Sequence, residues 1–340
     1  MQTAWDRALR RVPVLVVLIG SDLAMMDALG EYGRPLYDRL RILRLEPLAP
    51  SEVAALTGLG TSAAIDLYLA VGGFPNLVRL AARRGTFEAL IRRELEDPTS
   101  PLLVAGERAV AAEFPPQVPA SGVLVAVGAG AGEHRAIASV SGIGGATLDR
   151  ALDTLVTKRV VVRRRPYSAE GSAGRRTRYE VVGPYLRFWL TWLRPGLPEI
   201  ERGRGALVAE RIIARWAAYR GRALEAFARE AVIRMLPDPS RFGAAAHVGA
   251  YWTRDGRVEV DLVGGDREGS AERLGFIGSI KWRERTPFDG DDLRALADHA
   301  SHVPGSEAAS LIAVSRTGAT DAAANELSVL LGPADLLESW

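Results

Sequence analysis

The sequence predicts a multidomain α/β protein, and three observations lead there. At roughly 150 residues per domain, 340 residues make two to three domains. A continuous apolar, β-branched run near the start feeds directly into a helical pattern. Further on, short helices followed by a basic hairpin separate that start from a second helix-and-strand unit. A hydrophobic content of 48% and a charged content of 25% exclude a disordered or fibrous chain. Cysteine is absent, which excludes disulfides, thiolate metal sites and a cysteine nucleophile. No apolar run reaches the roughly 18 residues a membrane span needs, and residues 1–6 lack a signal-peptide pattern, so a cytoplasmic protein without a membrane partner is expected.

The elements follow in order. Residues 12–19 are apolar without alternation, as in a parallel strand covered on both faces, and run into Gly20-Ser21-Asp22 and a helical pattern through Leu23, Met26 and Leu29. Residues 47–97 read as helices, with Ser51 as the expected first cap and a break at Gly72-Gly73-Phe74-Pro75. Two prolines within residues 97–101 suggest a joint between domains. Short helices are expected over 122–129 and 135–140, and a stronger amphipathic one over 146–156. Runs 160–165 and 177–182 form a long hairpin. Three helices and a basic hairpin are the order of a winged helix-turn-helix, with helix 146–156 facing the groove. A long helix over 206–235, strands near 251–252, 258–263, 274–282 and 308–314, and a helix over 291–302 complete an α/β layout.

Charge is concentrated. Of 43 basic and 41 acidic residues, eight basic and one acidic fall within 158–178, leaving 35 basic against 40 acidic elsewhere. Such a footprint on an otherwise acidic chain suits a polyanion, with DNA the expected partner through Arg163, Arg164, Arg165, Arg175, Arg176 and Arg178. The alternative is a solvated arginine-rich hairpin.

Glu225, Glu259, Asp261 and Lys281 form the strongest chemical constellation. Glu259 and Asp261 are two apart and share a strand face, Lys281 ends the next strand, and Glu225 is helical. Carboxylates that hold a hard cation, with a lysine to steady phosphate charge, are the equipment of a Mg2+-dependent phosphodiesterase. Polar residues alternating on a solvated strand face are the competing explanation. His299 and His302 are three apart on a helix but lack a third ligand nearby, so a solvated helix end is expected. No G-x-S-x-G, H-E-x-x-H or G-x-x-x-x-G-K-[ST] occurs.

Read together, these stretches resemble prokaryotic P-loop ATPases of the AAA+/STAND type that carry a winged helix and a C-terminal PD-(D/E)xK, restriction-endonuclease-like domain. Residues 18–26, Leu-Ile-Gly-Ser-Asp-Leu-Ala-Met-Met, look like the sensor 1 segment, with Ser21 as the polar sensor. Residues 33–39 are similar to the segment that follows, where Arg39 matches a family arginine. Gly73-Phe74-Pro75 resembles the glycine-x-proline signature of the helical lid, and residues 184–189 the exit from the winged helix. The resemblance implies a partial P-loop ATPase core over 1–45, a helical lid over 46–100, a winged helix over 101–202 and an endonuclease-like domain over 203–340.

Two departures shape the expected function. In the family the phosphate-binding loop and Walker B acids precede sensor 1, and this sequence starts after them. The chain alone is therefore expected neither to bind ATP tightly nor to hydrolyse it, with Ser21, Arg39, Gly73 and Pro75 as remnants of a nucleotide site. The strand at 12–19 would need covering by a partner subunit or self-association. In the endonuclease-like domain the family reads Asp, then Glu-x-Lys. Here Asp261, Lys281 and the helical Glu225 match, but Ser279 replaces the usual Glu. Metal ligands would be Asp261, Glu225 and Glu259, short of one charged oxygen. The expected protein is a DNA-associated member with a degraded nuclease site. The alternatives are an active Mg2+-dependent nuclease with an ATPase supplied in trans, and a non-catalytic assembly module.

Overall fold

The computed structural model describes residues 7, 12–20, 23–34, 37–115, 117–170 and 177–340. They fall into two compact units, Met1–Glu46 and Pro47–Trp340.

In the first unit α1 (Leu23–Leu29) is the described helix, and Arg44 donates to both carboxylate oxygens of Asp27 at 2.8 and 2.9 Å. The strand expected over 12–19 does not form: these residues are irregular, with Leu15 87% and Ile19 93% exposed. A β-branched run makes a strand only where a neighbouring strand accepts and donates its backbone hydrogen bonds, and among the described residues the bond found here is local, from the Val14 N–H to the Val12 carbonyl at 2.8 Å. The residue proposed as a polar sensor, Ser21, lies outside the described residues, as do Arg175 and Arg176 at the hairpin tip.

The second unit begins with a helical layer: α2 (Pro50–Thr57), α3 (Thr61–Val71), α4 (Pro75–Arg84) and α5 (Phe87–Glu94). The expected cap Ser51 lies inside α2. The cap position is Ala49, whose N–H donates to Glu52 at 2.7 Å, so the acid does the capping. Pro75 opens α4, where a missing N–H costs nothing. Gly73 lies so close to Leu48 that a Cβ there would meet the Leu48 carbonyl oxygen at 2.1 Å. Gly73 thus has a packing role, and Pro75 a place at the start of a helix. The joint expected at 97–101 is a tight turn with Ser100 buried and its neighbours exposed: Ser100 caps α6 (Pro101–Glu113) and donates to Glu94 at 2.6 Å.

Helices α7 (Pro119–Gly128), α8 (His134–Ser141) and α9 (Gly145–Thr157) precede β1 (Val161–Arg164) and β2 (Arg178–Val181), which pair antiparallel. This is the expected three helices and a hairpin. α9 buries Leu148, Leu152 and Leu155, as its apolar spacing requires. α10 (Pro184–Phe188) runs through a π-helical turn, Trp189–Leu193, into α11 (Arg194–Ile200). Trp189 packs where Gly106 has no side chain and donates its indole N–H to the Leu103 carbonyl at 2.8 Å.

The long α12 (Gly205–Met235) leads through α13 (Pro239–Phe242) to β3 (His247–Trp252), β4 (Glu259–Gly265) and β5 (Leu274–Lys281). Then come α14 (Gly290–Ser301), β6 (Ser310–Ser315), α15 (Asp321–Ala324), β7 (Val329–Leu331) and α16 (Pro333–Glu338). The five strands pair in sequence order, antiparallel from β3 to β5 and parallel from β5 to β7. Alternation splits each strand between two cores. Leu262, Phe276, Ile312 and Leu331 join the cluster shared with α12 and the helical layer, while Val263, Ile277 and Ala313 pack with Leu296 of α14. The sheet is therefore covered on both faces.

One core runs from Val53 through α7 to α9 and the β1–β2 hairpin to Leu337, so the segments expected as lid, winged helix and endonuclease-like domain are packed into a single unit. Phe87 of α5 stacks on Trp216 of α12 with ring centroids 3.8 Å apart, and Phe188 of α10 meets Trp216 edge-on. Buried Asp66 of α3 is a second lock. It accepts from Arg220 of α12 at 2.8 Å, from Arg316 at 2.6 Å and from the Trp282 indole at 2.9 Å. Three donors around one carboxylate satisfy charges that would be costly if buried alone.

Candidate functional site

The unit of α7 to α9 and the β1–β2 hairpin does not stand free of the five-stranded sheet. Beyond β1 the chain crosses β3, where the Tyr167 N–H donates to the Ala250 carbonyl at 2.8 Å. The Tyr167 ring rests on two glycines: a Cβ at Gly249 would lie 2.4 Å from the Tyr167 Cβ, and one at Gly265 equally close to its hydroxyl. That hydroxyl donates to the Arg267 carbonyl. Across the hairpin, Arg178 of β2 pairs with Glu259 at the start of β4 and lies over the Trp252 ring, 4.5 Å from its centroid.

Between the β1–β2 hairpin with its helices, α12 and the sheet lies a cleft of about 980 Å³. Glu225, Asp261, Ser279, Lys281 and Glu259 all line it, so residues separated by more than fifty positions in sequence converge as their pattern suggested. β4 and β5 pair Leu262 with Gly278, and one step on Asp261 meets Ser279. One Asp261 carboxylate oxygen accepts the Ile280 N–H at 2.7 Å and the Ser279 hydroxyl at 3.3 Å. Ser279 thus turns toward the acid as a donor. The carboxylate that the resemblance implies at this position would repel Asp261 instead.

The electrostatics are those of crowded acids. Burial, then the charge of Asp261, pushes Glu225 from 4.5 up to about 8, so it is protonated near neutrality. Burial also raises Asp261, against the lowering effects of the Ile280 N–H and Lys281. Lys281 Nζ lies 3.8 Å from Asp292 of α14, which Arg283 grips through two hydrogen bonds of 2.6 and 2.8 Å. Asp292 and Arg283 were not legible as site residues, since nothing in their local spacing signals a distant lysine. His299 of α14 lines the cleft and its Nδ1 lies 3.0 Å from the Glu259 carbonyl oxygen. His302 turns back to the Asp298 carbonyl at 2.9 Å, so the two histidines do not form a metal pair.

Among the described residues no three or more His, Asp or Glu side chains are grouped to hold a metal ion. Of the expected ligands Asp261, Glu225 and Glu259, the last pairs with Arg178. The remaining donors, two carboxylates raised by burial, Glu225 also by the charge of Asp261, plus a hydroxyl, fit a hard cation bound largely through water.

Residues 189–293 match the DUF234 family model, described as archaea bacterial proteins of unknown function. That stretch takes in α11 and α12, strands β3 to β5 and the first residues of α14, and so carries Glu225, Asp261, Ser279 and Lys281. No curated protein and no solved structure matches the chain. Among the described residues no single helix is long and apolar enough to cross a membrane. The pair α2 and α3 has a span's composition but is bent by 112°.

The expected DNA-binding arginines are largely engaged within the protein. Arg163 donates to Asp153 of α9 at 2.6 Å, Arg164 lies 3.6 Å from Glu180, and Arg178 holds Glu259; Arg165 is exposed. The outer face of α9 offers Asp149 and Asp153 beside Arg150 and Lys158, no net charge. Asp149 pairs with His134 at 2.9 Å and Lys158 with Glu113 at 2.6 Å. This is a poor surface for a phosphate backbone. Arg39 lies in the first unit, and Gly73 and Pro75 in the second.

Proposed function

We propose that the chain grips a nucleic-acid strand in the cleft between its winged helix and five-stranded sheet, with a phosphodiesterase-like centre weakened by the loss of one carboxylate. The observation that carries this reading is the set Glu225, Asp261 and Ser279-Ile280-Lys281 lining one cleft, with Asp261 tied to the Ile280 N–H at 2.7 Å. The order helix, three antiparallel strands, helix, strand, with the acid on the second strand and the lysine ending the third, supports the kinship with PD-(D/E)xK endonucleases. The AAA+/STAND affiliation and an ATPase supplied in trans remain part of the same proposal.

Glu225 and Asp261 are the residues that would hold a divalent cation, which when bound supplies Lewis-acid polarisation of water and phosphate. Lys281, steadied by Asp292, offers a cation to developing phosphate charge. Asp261, fixed by two donors, keeps one oxygen oriented. Ser279 contributes a neutral oxygen where the family pattern has a charged one, which favours binding over turnover.

A gel shift with oligonucleotides and plasmid nicking in Mg2+ or Mn2+ test this. Binding that weakens as salt rises, with nicking slow or absent and increased by Ser279→Glu, is expected. Absence of any nucleic-acid binding would rule the reading out. The ion pairs of Arg163, Arg164 and Arg178 favour a second reading, a non-catalytic assembly module, and that outcome would leave it standing.

A further inference from the structure

Arg229 lies one helical turn beyond Glu225 on α12, is only 4% exposed, and makes no hydrogen bond or ion pair among the described residues. A buried guanidinium without a partner is rare because the lost hydration is uncompensated. Glu180, Glu225 and Asp261 act on it only at longer range. Arg229 and Glu180 line both the cleft and a second cavity of about 500 Å³, whose walls also carry Arg163, Arg164, Arg165 and His247. The Arg164 Nε is likewise buried without a hydrogen bond, since its 3.6 Å approach to Glu180 is too long for one. Within this cavity four arginines face two acids, Glu180 and Glu268.

Unmet N–H donors on a buried arginine, in a cavity of net positive charge, call for an anion with several acceptor oxygens. Guanidinium groups bind phosphate through paired N–H donors, and a terminal phosphate, with more charge and more oxygens than a diester, meets more of them. The volume suits a small ligand or the end of a larger one. Arg229 and Glu180 belong to both cavities, so the smaller one adjoins the cleft that Asp261 lines.

We infer that Arg229, with Arg164 and Arg165, forms a site for a phosphate monoester, the terminal phosphate of a nucleic-acid strand lying in the adjacent cleft. The identity of the phosphate's bearer rests on the proposed function; the phosphate site itself does not. Calorimetry with inorganic phosphate, and fluorescence anisotropy with one oligonucleotide bearing either a 5′-phosphate or a 5′-hydroxyl, test it on the full chain and on Arg229→Met and Arg164→Gln. Circular dichroism and thermal midpoints show that the variants fold. Removing a lone buried charge is expected to leave Arg229→Met at least as stable as the parent.

The expected result is at least tenfold tighter binding of the phosphorylated oligonucleotide, lost in Arg229→Met and reduced in Arg164→Gln. Phosphate binding abolished by Arg229→Met, with neither oligonucleotide bound, supports the site with free phosphate as ligand and removes the nucleic-acid reading. Equal binding of both oligonucleotides, unchanged in the variants and with no phosphate binding, overturns the site and leaves that reading intact. No binding of any probe overturns both.

Discussion

Glu225 offers the sharpest handle on the cleft. Its carboxyl is raised from 4.5 to about 8, first by burial and then by the charge of Asp261. An acid whose folded value lies above its unfolded one binds its proton more tightly in the native state. Its contribution is therefore full below about pH 4.5 and lost as pH rises toward about 8. At about 1.4 kcal/mol per pH unit, the loss between about pH 5 and pH 9 is on the order of 4 kcal/mol. Asp261 is raised as well and acts in the same direction. Urea unfolding across this range should show stability falling with pH, and Glu225→Gln, which keeps the neutral shape, should remove most of that slope. If Glu225→Gln retains the parent's slope to within about 1 kcal/mol, the carboxyl is not held protonated and the description of the cleft is wrong.

Other expectations follow from the same contacts. Because one proton must leave Glu225 before a cation can use its oxygens, Mn2+ affinity by calorimetry should rise roughly tenfold per pH unit below about pH 8. A pH-independent affinity would place the cation elsewhere. Asp66→Ala leaves Arg316 without its acid and buried Arg220 with only the exposed Glu284, and should cost about 3–5 kcal/mol in chemical unfolding. A loss below about 1 kcal/mol would mean water reaches that network. Tyr167→Phe removes one hydrogen bond, about 1 kcal/mol, whereas Tyr167→Ala empties the seat over Gly249 and Gly265 and should cost about 3–5 kcal/mol. Equal effects of the two would show that the ring does not anchor the hairpin segment to the sheet.

Local pattern made much of the fold legible. The spacing of Leu148, Leu152 and Leu155 marked α9, the β-branched runs marked β1 and β2, and the long apolar face of α12 emerged within a residue or two of its ends. The short β7 escaped because three residues carry no alternation to read. Residues 12–19 misled in the opposite way: propensity describes what a segment can pair with, not whether a partner exists.

In the site, Glu225, Asp261, Ser279 and Lys281 were readable because chemistry and spacing coincide on adjacent elements. Charge counts cannot see the acids Asp153, Glu180 and Glu259 that meet Arg163, Arg164 and Arg178 across the fold. Arg229 was missed, although its spacing of four from Glu225 puts both on one helix face. Asp66, a lone acid inside an apolar helix, was a comparable unused signal. The seating of Tyr167 on Gly249 and Gly265 joins residues about a hundred positions apart and left no local trace.

The most direct measurement is hydrogen exchange by mass spectrometry with and without a bound oligonucleotide. Strand binding in the cleft should slow exchange together in β2, at the start of β4 and at the end of β5, around Arg178, Asp261 and Lys281. Slowed exchange confined to the outer face of α9, or none at all, would contradict it.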